Sequence, residues 1–124
     1  MSISSERRRA GRGPGKRPHS FFAVQDVHSN GRHTFVLTGE LDIAQARELQ
    51  EALQRVATDA SAGITLDLSG LTFMGSTGLR VVLFARELCE QRGYEFRIIP
   101  GSATVQRVFA LAGLSERLPF EQAL

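Results

Sequence analysis

Tryptophan is absent from this 124-residue chain and cysteine occurs once, as Cys89. A single thiol excludes a disulfide framework within the chain and any thiolate metal cluster, and it fits a reducing compartment. Its neighbours Leu88 and Phe84 predict a partly buried place on a helix. Lysine is equally scarce, with Lys16 alone against fourteen arginines. Imidazole is limited to His19, His28 and His33. No apolar run approaches the roughly 20 residues of a membrane span, and no signal-peptide core stands near the start. The expectation is a cytoplasmic protein with no membrane contact, no metal and no cofactor.

The charge that is present is unevenly placed. Arg7, Arg8, Arg9, Arg12, Lys16 and Arg17 against Glu6 give residues 1–20 a net +5, whereas the whole chain is +2 and the remainder therefore −3. The high isoelectric point of about 9.3 thus belongs to the N-terminal stretch. That stretch has Ile3 as its one sizeable apolar side chain after the initial Met1, with glycines and prolines among the charges. Such a composition cannot repay the entropy of ordering, so residues 1–20 read as a disordered basic tail and residues 21–124 as one folded domain. Arginine clusters attract phosphate backbones. However, the tail has no interleaved aromatics to stack on bases, so nucleic acid is not the expected partner.

Order is expected from Phe21. FFAVQDV and HTFVLTG read as two strands joined through Ser29, Asn30, Gly31 and Arg32, and Asn-Gly is the strongest short hairpin signal. Asp42 caps a helix, with Gln45 completing a capping-box pair. Ile43, Ala46, Leu49, Leu53 and Val56 form its apolar stripe. ITLDL, residues 64–68, is a third strand. Residues 79–92 make a helix whose middle is apolar nearly all round, closed by Arg92 and Gly93. Residues 96–99 form a fourth strand. Ser102 caps a further helix with the stripe Val105, Val108, Phe109 and Ala112. Leu118 and Phe120 mark a short last strand before the stub EQAL. The order β-β-α-β-α-β-α-(β-α) requires parallel crossovers after an antiparallel hairpin. The fold class is α/β, a mixed sheet of four to five strands packed with three to four helices.

The stretch LTFMGSTGLR, residues 71–80, carries the chemistry. With Gly70 it spells G-x-x-x-x-G-S-T, but a serine stands where a phosphate-binding P-loop has its lysine. Leu71, Phe73 and Met74 also prefer burial to an open phosphate cradle. A serine hydrolase needs a base beside the serine. His28 and His33 flank the hairpin turn, where solvent-facing positions are expected, and Met74 occupies the first glycine of a nucleophile elbow. Glu40 and Asp42 share a face only in a strand, and Asp42 reads as a cap. What remains is Ser76 at a helix start. As a plain N-cap it would contribute about 1 kcal/mol. The same geometry also suits a phosphate, which favours the positive end of a helix. Gly75 and Gly78 on either side open the backbone to another protein.

These residues resemble a known family. Gly39-Glu40-Leu41-Asp42, then DLSGLTFM, then Ser76-Thr77-Gly78-Leu79, then VQRVFALAGL are similar, in order, to motifs of the STAS domain of bacterial anti-sigma factor antagonists. The resemblance implies a STAS-like sheet and helices over residues 21–120. It implies an anti-sigma factor as partner, itself a serine kinase of the histidine-kinase-like ATPase class. Binding that kinase releases a sigma factor, and phosphorylation of Ser76, with Thr77 second, breaks the complex until a phosphatase resets it. The implied contact surface is Glu40, Leu41 and Asp42 together with Met74, Gly75, Ser76, Thr77, Gly78, Leu79 and Arg80. The family is non-enzymatic. It usually has an aspartate immediately before the acceptor, where this chain has Gly75, and commonly a longer C-terminal helix. A shorter end is expected to expose an apolar edge near Leu118 and Phe120. The alternative is a STAS interaction or scaffolding module that binds its partner constitutively.

Overall fold

A computed structural model describes residues 21–57 and 63–121. The basic tail, most of the turn after the first helix, and the last three residues of EQAL lie outside the described residues. The strands are β1 (Phe22–Ser29), β2 (Arg32–Leu41), β3 (Gly63–Met74) and β4 (Glu95–Ile99). The helices are α1 (Ile43–Val56), α2 (Ser76–Arg92) and α3 (Ala103–Leu111). The sheet runs in the order β1-β2-β3-β4, antiparallel between β1 and β2 and parallel thereafter.

The hairpin turn is the Asn-Gly turn of the sequence. Asn30 (φ 55°) and Gly31 (φ 76°) both take positive φ, as a type I′ turn demands. Alternation then sorts the strands. Phe35 and Leu37 of β2, Ile64, Leu66 and Leu68 of β3, and Ile98 of β4 share one buried cluster. It is closed by Leu49 and Leu53 of α1, Val81, Val82 and Ala85 of α2, and Val105 and Phe109 of α3. α2 ends in Gly93 at φ 73°, with Tyr94 N–H donating to the Cys89 carbonyl at 2.9 Å. Ser102 caps α3, its hydroxyl accepting from Val105 N–H at 3.3 Å.

Several expectations are corrected. The third strand does not stop at Leu68 but continues to Met74. It continues because two irregularities in its pairing with β2, after Val36 and after Gly39, each leave an extra β3 residue. The second puts Thr72 and Phe73 outward while Leu71 and Met74 stay buried. Ile43 is not part of the buried stripe of α1; it is 71% exposed, because the first helical residue overhangs the sheet end. Ala112 lies past α3 and is exposed.

His33 is buried rather than solvent-facing, 3% exposed. It bonds the Asp26 carboxylate through Nδ1 at 3.0 Å and stacks on His28 at 4.1 Å. Leu118 to Phe120 gives a single parallel bridge, Ile98 to Phe120, rather than a strand. The apolar edge there is closed, since Leu118 is buried and Phe120 meets Phe109 edge-on at 5.0 Å.

Candidate functional site

β2 and β3 run parallel and end side by side, Leu41 opposite Met74. Each then turns directly into a helix, α1 through Asp42 and α2 through Gly75. Two helix N-termini therefore open at the same corner of the sheet. The joint is fixed by backbone: Gly75 N–H donates to the Leu41 carbonyl at 3.1 Å, and Glu40 N–H to Phe21 at 2.8 Å. Asp42 and Gln45 form the expected capping box, with Gln45 Oε1 accepting from Asp42 N–H at 3.3 Å.

Leu41, Met74 and Gly78 are buried beneath the corner. They shape it from below rather than present side chains. Gly78 is not an open backbone window. A Cβ added there would lie 2.6 Å from Met74 Cγ and 3.0 Å from Leu41 Cγ, so the absent side chain lets the first turn of α2 seat on the strand ends. Gly75 is at the surface, and its φ of −90° needs no glycine. A Cβ there would meet Asp42 Oδ1 at 3.1 Å and the Phe73 ring edge at 3.6 Å. Asp42, Phe73 and Gly75 are thus one continuous patch. Phe73 is 43% exposed, and Ile43 stands at the first position of the adjacent helix.

Ser76 sits on this patch, exposed, as the first residue of α2. The N-cap is Gly75, not Ser76. The Ser76 hydroxyl makes no hydrogen bond among the described residues. The capping role read from the sequence is therefore overturned, because the carbonyl that starts the helix, accepting from Gly78 and Leu79 N–H, belongs to Gly75. Thr77 Oγ1 is turned inward, fully hidden and without a partner. Leu79 packs partly against the core. Arg80 is exposed and lines a groove of about 580 Å³ between α1 and α2, with Arg47, Gln50, Glu51, Gln54 and Thr77.

The other chemistries lose their geometry here. Residues 71–74 are strand, and Gly70 serves the first pairing irregularity, since a Cβ would meet the Leu37 carbonyl at 2.8 Å. No phosphate cradle forms. His33, eight residues back along β2 from Leu41, is roughly 26 Å from this corner and committed to Asp26. Among the described residues no group of three or more histidine, cysteine or acidic side chains could hold a metal, and no helix is long and apolar enough to cross a membrane. Glu95, at the opposite end of the sheet, has its carboxyl held below the usual range by Arg32 and then Arg97, a structural ion cluster.

A parallel strand pair that launches two helices at one corner, with an unbonded serine at the start of the second, defines a STAS-type α/β domain. The comparisons agree: residues 13–120 match the family described as "Mlab, STAS domain", and the chain belongs to the STAS domain family. It is 30% identical over 87 residues to the anti-sigma-F factor antagonist RsfB of Mycobacterium tuberculosis, covering 70% of each chain. It is 31% identical over 78 residues to the anti-sigma-B factor antagonist of Staphylococcus aureus, covering 63% of this chain and 72% of that one. Among solved structures, it superposes with a TM-score of 0.74 on an anti-sigma factor antagonist from Mycobacterium paratuberculosis, at 24% identity over 83% of this chain and 87% of that one. The unphosphorylated form of the antagonist SpoIIAA gives 0.69 at 22% identity, over 82% and 88%.

Proposed function

We propose that this protein is an anti-sigma factor antagonist whose partner is an anti-sigma factor with serine kinase activity, and that Ser76 is the residue phosphorylated to release it. The observation that carries the reading is the Ser76 hydroxyl itself. It is exposed, at the start of a helix, in the middle of an apolar and charged patch, and it serves no bond in the fold. Thr77 is the poorer acceptor because its Oγ1 is enclosed. The contact surface is the corner formed by Glu40, Asp42, Phe73, Gly75, Ser76 and Arg80, shaped from beneath by Leu41, Met74 and Gly78. The protein acts by binding and is not itself the enzyme.

The switch follows from electrostatics. A phosphoserine carries nearly two negative charges. Desolvating that dianion in an interface costs several kcal/mol unless the partner pairs it, and each 1.4 kcal/mol is tenfold in affinity. The fold need not move. The experiment is mass spectrometry after incubating the protein with ATP and each anti-sigma kinase of its host, together with a binding assay. One phosphate on Ser76 and loss of the complex is the expected result.

The second reading is constitutive binding without a phosphoswitch. Gly75 favours it, because the position before Ser76 carries no charge for a kinase to read. Tight binding with Ser76 unmodified would select it.

A further inference from the structure

Arg80 stands one helical turn after Ser76 on α2. Residues four apart on a helix are neighbours, about 5–6 Å between Cβ atoms. Arg80 lines the groove beside Thr77, and because helical side chains lean toward the N-terminus the turn that holds Ser76 is within its reach. Its guanidinium makes no ion pair or hydrogen bond with any described residue. The charges around it divide between the groove, where Arg47 and Glu51 offset each other and leave Arg80 in excess, and the corner, which is acidic. Arg47 and Glu51 of α1 face it across the groove. Asp42 and Glu40 stand at the corner beyond Ser76, where they would repel a phosphate. A dianion on Ser76 is therefore pushed from the corner side and drawn from the groove side, and the cation within one turn on its own helix is Arg80.

We infer that Arg80 is the intramolecular counter-ion of a phosphate on Ser76, so that phosphorylation withdraws a free guanidinium from the α1–α2 groove as well as adding a dianion to the corner. Arginine suits this role because its planar fork can donate two parallel bonds to one phosphate. The consequence is a two-part switch. A partner that uses the groove loses Arg80 at the moment it meets the new charge. A single carboxylate substituted at position 76 reproduces neither part fully, being singly charged and too short to engage the fork in the same way.

The inference rests on Ser76 being the modified residue, and the test is chosen so that the two fail separately. The full chain is made with phosphoserine encoded at position 76, which removes any dependence on a kinase. Phosphorus NMR then follows the second ionisation of that phosphate, ordinarily centred near 6. The midpoint in the otherwise unaltered chain is expected to lie below that in Arg80→Gln by about half a unit, or about threefold in proton affinity. Arg80→Lys should restore most of the difference, and Arg47→Gln should change it less. Equal midpoints in the unaltered chain and Arg80→Gln, both with native circular dichroism, overturn the pairing and leave the phosphoswitch standing. Equal affinity of the kinase for phosphorylated and unmodified chains overturns the phosphoswitch whatever the NMR shows.

Discussion

The seating of α2 on the strand ends gives a sharp test at Gly78. The residue is buried in the first turn of the helix and has no positive φ, so alanine is conformationally allowed there. On propensity alone, Gly78→Ala would stabilise the helix by up to about 1 kcal/mol. Packing opposes it. The new Cβ would sit 2.6 Å from Met74 Cγ and about 3 Å from two atoms of Leu41, and both side chains are buried at the ends of β3 and β2. Overpacking of this kind costs about 1–3 kcal/mol. Packing wins, and a net loss of about 1 kcal/mol is expected. In a domain this size that is about 4 °C in Tm, measured by thermal and urea denaturation. The same displacement lifts Ser76 away from the corner, so partner affinity should fall along with stability. Met74→Ala removes the nearest obstacle. In that background the added Cβ at position 78 should cost about 1 kcal/mol less, a coupling typical of residues in contact. A Gly78→Ala protein as stable as the original, or more so, refutes the close-seating argument. Full additivity of the two substitutions refutes the named contact.

Two further outcomes follow from the same geometry. Phe73→Ala and Ile43→Ala should each weaken partner binding by about tenfold, as loss of an apolar anchor does. Ile43→Ala should leave Tm within about 2 °C because that side chain is 71% exposed, whereas Phe73→Ala, more than half covered, should lower Tm further, and isothermal calorimetry beside a melting curve separates binding from stability. Burial pushes the Cys89 thiol up to about 11, so iodoacetamide should leave the native protein unmodified at pH 8, where the folded group is protonated, and label it rapidly in denaturant, where the ordinary thiol pKa returns.

Much of the fold is legible in the residues because local and global signals coincide. Asn30-Gly31 specifies the hairpin turn, Asp42 with Gln45 the start of α1, Gly93 the end of α2 and Ser102 the start of α3. What escaped reading depends on pairing between distant segments. β3 looks finished at Leu68 because Ser69 and Gly70 are turn-like, yet β2 carries it six residues further across two irregularities. Propensity cannot show that, since the extra residues are tolerated only beside Leu37 and Gly39. His33 looks exposed beside a turn, but Asp26 and His28 on the partner strand enclose it. Phe73 and Ile43 read as core and stand outside. The signal that could have found Phe73 is the failure of strict alternation in Leu71, Thr72, Phe73 and Met74, which suggests a bulge near the serine. Gly78 between Thr77 and Leu79 reads as access for a partner, and the distance to Met74 shows that it serves close packing instead.

Whether Ser76 caps the helix can be decided without any partner, because a capping and a non-capping serine make different demands on stability. A capping serine supplies a bond to the free end of the helix, and its replacement by alanine costs about 1 kcal/mol. Here Gly75 is the cap, and the Ser76 hydroxyl stands in solvent with no bond among the described residues. Ser76→Ala should therefore leave the unfolding free energy unchanged within about 0.5 kcal/mol, whereas a loss near 1 kcal/mol would restore the capping role and remove the argument for an idle hydroxyl. That independence matters to the mechanism. A residue that holds up the fold cannot be modified and reset without disturbing what it supports. A residue that holds up nothing, set on a rigid joint of paired strand ends and two helix starts, can change its charge while the corner around it stays as it is. On the proposed mechanism the partner then meets the same backbone with its charges rearranged, and the readout is affinity.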